Sequence, residues 1–130
     1  MSVFSFLDSI SEVKKNESLT AFFELKGDEE FLKDHFQDFP VMPGVLLIES
    51  LKQAASCLLS ESRGGKPLYR FGSIGSVKYG QFVKPGNLLR IFVRLLPSGG
   101  DPHFEGRMDL VDGPGPPSRA ILADFTLVPA

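Results

Sequence analysis

Residues 35–55, "HFQDFPVMPGVLLIESLKQAA", decide how the rest of the chain reads. The stretch opens on His35, one of two histidines, and passes Pro40, Pro43 and Gly44 into an almost wholly apolar run. From Gly44 to Ser60 there are 17 residues with no proline. Leucine, isoleucine, valine and alanine cover most of a helical circumference there, and polar residues at 49, 52, 53, 56 and 60 form a narrow stripe at helical spacing. A helix that apolar is buried on nearly every side. Pro40 and Pro43 hold Val41-Met42 extended, because a residue before proline is pushed out of the α region. "SRGGKP" (62–67) ends the helix with glycines and a proline just beyond it.

Working outward, "SLTAFFELK" (18–26) reads as a strand and "GDEE" (27–30) as a turn. "FLKDHF" (31–36) is a loop or short helical turn carrying His35, and 4–13 has weak helical or irregular character. Past the helix, prolines and glycines punctuate strands at 68–74, 77–82, 88–96, 103–111 and 119–128. The turns are "KPGN" (84–87), "PSGGDP" (97–102) and "DGPGPP" (112–117). "LLRIFVRLL" (88–96) alternates only in part, which predicts burial of one half on both faces. One helix cannot cover a flat sheet of that size, but a curled antiparallel sheet can wrap it. The expected class is α+β, with the long central helix as the core.

Length and composition fit one domain spanning 1–130: 130 residues, 42% hydrophobic, 12 phenylalanines. A net charge of -2 gives no basic footprint for nucleic acid. The single cysteine, Cys57, forms no intramolecular disulfide and falls on the apolar side of the helix as a small core residue. The N-terminus lacks a basic leader region, and no apolar run reaches the ~20 residues that cross a bilayer. The expectation is a cytoplasmic protein, off the membrane. Isolated histidines and one cysteine predict no metal site, and no glycine-rich phosphate loop stands between a strand and a helix.

Glu49 is the anomaly. A carboxylate in the second turn of a buried helix costs on the order of several kcal/mol unless it is paired or faces a polar cavity. Either Glu49, Lys52, Gln53 and Ser56 form a solvated stripe, with Glu49 paired to Lys52 or Gln53, or Glu49 serves chemistry. Pro43-Gly44 places free N–H groups and the positive end of the helix dipole at the start of the same helix. A histidine, a carboxylate and such donors together supply a base, an acid and an oxyanion site for proton abstraction next to a carbonyl.

The same stretch resembles the active-site segment of the hotdog-fold 3-hydroxyacyl-[acyl-carrier-protein] dehydratases. Their pattern is His-Phe, an extended proline-containing stretch, Met-Pro-Gly-Val, then an apolar helix with Glu and, four residues on, Gln. Here these are His35-Phe36, Met42-Pro43-Gly44-Val45, Glu49 and Gln53. "VKYGQFVKPGNLL" (77–89) resembles the family's strand–Pro-Gly-Asp–strand segment, with Asn87 in place of Asp. Asp34 and Gln37 stand where the family has Gly and Pro, and "FSFLDSI" (4–10) lacks the family's Arg, which marks a divergent branch.

The resemblance implies a single hotdog domain, of the thioesterase/thiol ester dehydrase-isomerase kind, that dehydrates 3-hydroxyacyl thioesters to trans-2-enoyl thioesters without a cofactor. It implies a homodimer, open to higher assembly, in which His35 of one subunit meets Glu49 of the other in a tunnel. His35 takes the C2 proton, Glu49 orients or protonates the departing hydroxyl, and Gly44 and Val45 N–H hold the thioester carbonyl, with Gln53 nearby. Phe36, Met42 and Phe82 line the acyl tunnel. Arg70, Lys78, Lys84, Arg90 and Arg94, read as one cluster, either dock an acidic acyl-carrier protein, with coenzyme A as the other possible carrier, or are strand-face charges that keep the sheet soluble. The rival readings are a hotdog thioesterase with Glu49 activating water, and a non-catalytic acyl-binding hotdog protein.

Overall fold

A computed structural model describes residues 7–26, 42–63, 69–113 and 115–129. His35 and Phe36, like the turn expected at 27–30, lie outside the described residues. The elements run β1 (Ser9–Lys14), β2 (Ser18–Glu24), α1 (Gly44–Arg63), β3 (Tyr69–Tyr79), β4 (Leu88–Leu96), β5 (His103–Leu110) and β6 (Ser118–Pro129). The strands form one antiparallel sheet in the order β1-β2-β4-β5-β6-β3, so β1 and β3 are its edges.

α1 packs against β2, β4, β5, β6 and β3. Five strands at ~4.8 Å spacing are ~19 Å across, roughly twice the width of a helix, so contact with all five requires the sheet to curl round α1. Leu47, Leu51, Ala54, Ala55, Leu58 and Leu59 are buried against Leu89, Ile91, Val93, Phe104, Met108 and Phe125 from the concave face. Leu51 sits over Gly106 of β5. A Cβ there would lie 3.0 Å from Leu51 Cδ2 and 3.3 Å from Val93 Cγ1, so the helix approaches the sheet through the gap glycine leaves.

Four expectations change. Residues 9–14 are a strand, where weak helical or irregular structure was expected. Its side chains are nearly all exposed, and its ladder shifts register between Ile10 and Glu12, so no period-2 pattern is visible in the sequence. The hairpin makes it a strand: Asn16 takes φ 62° in the connection and Glu17 N–H donates to the Lys14 carbonyl (2.9 Å).

The two strands expected at 68–74 and 77–82 are one. β3 runs through both, and pairing with β6 continues through Gly80 and Gln81 N–H to the Ala120 and Arg119 carbonyls. Two register shifts, at Phe71/Ser73 and Ile74/Val77, read in sequence as a break. At the second, Asp124 Oδ1 accepts from Ser76 N–H (2.6 Å), which satisfies an amide that the irregular ladder leaves unpaired.

β4 buries Leu89, Ile91 and Val93 on its concave side only. Leu88, Arg90 and Phe92 are half-covered, so the expected burial on both faces is not found. Cys57 is likewise half-buried at the edge of the core rather than inside it. The helix matches its expected start and runs on to Arg63.

Candidate active site at the start of the helix

Pro43 is the residue on which α1 begins. Its carbonyl accepts from Leu46 N–H (3.0 Å) and Leu47 N–H (3.3 Å), which leaves the Gly44 and Val45 N–H groups without a backbone acceptor among the described residues. The first turn carries no acidic residue, so its positive end is not quenched from within. Met42 N–H donates to the Val83 carbonyl (2.9 Å), tying the entry to the helix to the segment after β3. The Tyr79 ring lies against Gly44: a Cβ there would be 2.9 Å from Cε1 and 3.1 Å from Oη. Glycine is needed for that approach.

Met42, Gly44, Leu47, Tyr79, Phe82 and Ala120 line an apolar pocket of about 360 Å³ at this end of α1. Met42 is buried, while Tyr79 is 52% and Phe82 65% exposed. The structure therefore brings together Met42, Gly44 and Phe82 from the expected set. Tyr79 joins them without having been singled out in the sequence; a tyrosine at the end of a strand carried no signal of its own.

Val45 and Glu49 are four residues apart and Lys52 three further, so all three lie on one face of α1. Glu49 Oε2 is 3.0 Å from Lys52 Nζ, with the two side chains 28% and 23% exposed. The pairing weighed in sequence is thus present, and it is partly sheltered rather than fully solvated. Gln53 stands one turn past Glu49 and is half-buried.

The expected basic cluster is not one cluster. Arg70 and Lys78 are eight residues apart on the edge strand β3, and Lys84 is in the turn beyond it. Arg90 and Arg94 are on β4, three strands away across the sheet. Arg90 contacts the buried Asp109 (3.4 Å), which also accepts from Arg107 (2.9 Å), and Arg94 pairs with Glu105 (3.2 Å). Strand order separates what chain order had placed close together.

His103, at the start of β5, lies 3.3 Å from Asp124 Oδ2. Hydrogen bonding from Ser76 N–H, and then from His103, holds the Asp124 carboxyl below the usual carboxylate range. Burial, with the charge of Glu61 second, pushes the Cys57 thiol up. Among the described residues no group of three His, Cys, Asp or Glu side chains could hold a metal ion, and no helix is long and apolar enough to cross a membrane.

A helix held inside a curled antiparallel sheet, its N-terminal donors opening on an apolar pocket, is the hotdog architecture. Residues 1–106 match the FabA-like domain model, and the chain belongs to that family. It is 43% identical over 93 residues to 3-hydroxyacyl-[acyl-carrier-protein] dehydratase FabZ of Pediococcus pentosaceus, covering 70% of this chain and 62% of that protein. It is 36% identical over 114 residues to the FabZ of Coxiella burnetii (strain RSA 331), covering 84% of this chain and 80% of that one. The chain thus spans about 62% of the length of several curated relatives it matches. Among solved structures it resembles the dehydratase heterocomplex ApeI:P from Xenorhabdus doucetiae, with a TM-score of 0.70 at 19% identity over 96% of this chain and 98% of that one. That likeness concerns the fold.

Proposed function

We propose that this protein dehydrates 3-hydroxyacyl thioesters, carried on acyl-carrier protein or coenzyme A, to trans-2-enoyl thioesters in fatty-acid or related acyl biosynthesis in the cytoplasm. The observation that carries the reading is the start of α1. The N–H groups of Gly44 and Val45 have no backbone acceptor among the described residues, Gly44 lines an apolar pocket, and a carboxylate stands one turn further along the face of Val45. Four residues of helix rise ~6 Å, a span suited to a thioester carbonyl at one end and a 3-hydroxyl at the other. The carbonyl accepts from Gly44 and Val45 as C2 loses its proton and negative charge builds on oxygen. Glu49 orients or protonates the departing 3-hydroxyl, His35 takes the C2 proton, and Met42 and Phe82 enclose the acyl chain with Phe36.

The protein acts as a homodimer, with His35 of one subunit facing Glu49 of the other. Support comes from β3, an eleven-residue edge strand that carries exposed Ile74 and Tyr79, with exposed Phe82 just beyond it and exposed Val45 next to Gly44, against which Tyr79 lies, a combination that pairing with a second copy would cover. Arg70, Lys78 and Lys84, on or just beyond that edge, are the positions for meeting an acidic carrier.

The test is ultraviolet detection of 2-enoyl thioester from a series of 3-hydroxyacyl thioesters, with His35→Ala and Glu49→Gln run beside wild type. Turnover by wild type and a loss of ~100-fold or more in each folded variant is the expected result. Release of free acid instead would assign a thioesterase, and binding without turnover would assign an acyl-binding protein.

A further inference from the structure

One charged side chain at this site has no part in the reading above. We propose that Lys52 is a positioning residue for Glu49, holding its carboxylate in a single orientation and offsetting its charge as the 3-hydroxyl departs. The inference rests on the dehydratase reading and deepens it.

Lys52 Nζ stands 3.0 Å from Glu49 Oε2, and also 5.8 Å from the centroid of the Phe71 ring. Phe71 in turn meets Phe125 edge-on (5.4 Å, 86°), and Phe125 is buried. The ammonium is therefore set between a carboxylate on its own helix and an aromatic shelf built from β3 and β6. An exposed pair one turn apart is mobile and worth little. This one has less than a third of either side chain exposed and a second contact that fixes the cation.

Two consequences follow for the chemistry. With Oε2 engaged by Lys52, Oε1 is the oxygen left to accept from a substrate hydroxyl, so the carboxylate presents one lone-pair set in one direction. As the C3–O bond breaks, negative charge builds on the departing oxygen until it takes the proton that His35 removed from C2 and leaves as water. An uncompensated carboxylate would oppose that charge, whereas a carboxylate backed by an ammonium is close to neutral. Lys52 reaches the reaction only through Glu49.

The experiment uses the full chain and a 3-hydroxyacyl thioester, comparing Lys52→Met, Lys52→Gln, Lys52→Arg, Glu49→Gln and the double variant Glu49→Gln/Lys52→Met. The expected result is a fall in kcat of ~10- to 100-fold in Lys52→Met and Lys52→Gln, with KM within about threefold of wild type. Lys52→Arg should restore kcat to within about fivefold, and Lys52→Met should cost nothing further in the Glu49→Gln background. Wild-type kcat in Lys52→Met beside an inactive Glu49→Gln overturns the inference and leaves the dehydratase reading standing. So does an equal loss in both backgrounds, or a loss that tracks the thermal midpoint across all three Lys52 variants. No dehydration by wild type overturns both.

Discussion

Gly106→Ala tests what seats the helix on the sheet. The added methyl would lie 3.0 and 3.2 Å from the Leu51 methyls and 3.3 Å from Val93 Cγ1, where relaxed carbon contacts are ~3.5–4.0 Å. Leu51 and Val93 have no exposed surface, so neither can swing into solvent, and α1 must lift by roughly half an ångström. Overpacking of this kind costs ~1–3 kcal/mol. Alanine returns ~0.5–1 kcal/mol over glycine through its smaller backbone entropy in a strand. The net expectation is a loss of up to ~2.5 kcal/mol in Gly106→Ala. Leu51→Ala opens a cavity in the same place and should cost ~2–5 kcal/mol. Because the new methyl partly fills that cavity, the double variant should be no less stable than Leu51→Ala, a coupling of ~1 kcal/mol or more. Urea titrations at one fixed protein concentration, with unchanged m-values, measure all three. Strict additivity, or a stabilised Gly106→Ala, would refute the idea that the gap at Gly106 sets the depth of α1.

Three further outcomes are expected. The Asp124 carboxyl titrates lower in the folded protein than in the unfolded chain, so its contribution is present above about pH 4 and is lost as pH falls through the lower folded value. Thermal midpoints followed from about pH 7 to pH 2 should show an acid-side loss that is reduced in Asp124→Asn. Cys57, its thiol raised first by burial and then by Glu61, should react with a disulfide reagent at about pH 8 more slowly than a free cysteine thiol, and denaturant should abolish the difference. Asn87 accepts from Lys84 N–H (2.8 Å) and donates to Asp112 (3.3 Å). Asn87→Asp keeps the first bond but sets two carboxylates together, so stability should fall by up to ~1 kcal/mol at neutral pH and recover on acidification.

The sequence was most legible where one residue type dictates geometry. Pro43-Gly44 and the apolar run after it specify where α1 starts, and Lys84-Pro85-Gly86-Asn87 specifies a turn, in which Gly86 takes φ 94°. Alternation at 89, 91 and 93 picks out the concave face of β4. What could not be read depended on partners distant in sequence. β1 is held by its hairpin rather than by its own pattern, and the irregular ladder of β3 is completed by Asp124, 48 residues beyond Ser76. The arginines of β4 look close to Arg70 in chain order, but β5 and β6 separate them in the sheet, and Asp109 and Glu105 engage their charge. At the site, residues 42–53 share one short stretch and could be read together. Tyr79 reaches Gly44 only through the fold.

The position of the acid within α1 connects stability to chemistry. A carboxylate in the first turn would be favoured by the helix dipole by ~0.3–1 kcal/mol, yet the first turn has none and the acid stands at 49. An acid at 45 would compete for the Gly44 and Val45 N–H groups, which have no backbone acceptor among the described residues, and so close the place proposed for a thioester carbonyl. The sequence thus forgoes a helix-stabilising residue at the most exposed position of the turn, Val45, at 71% exposure. Val45→Asp makes the trade measurable. It should gain the dipole term less ~0.2–0.5 kcal/mol of repulsion from Glu49 four residues on, leaving stability unchanged or raised by under ~1 kcal/mol. Dehydration should nonetheless fall by ~100-fold, the scale of losing an oxyanion donor. A Val45→Asp protein as stable as wild type and fully active would show that the open donors at the start of α1 do not hold the carbonyl. The acid at 49 would then need a different explanation.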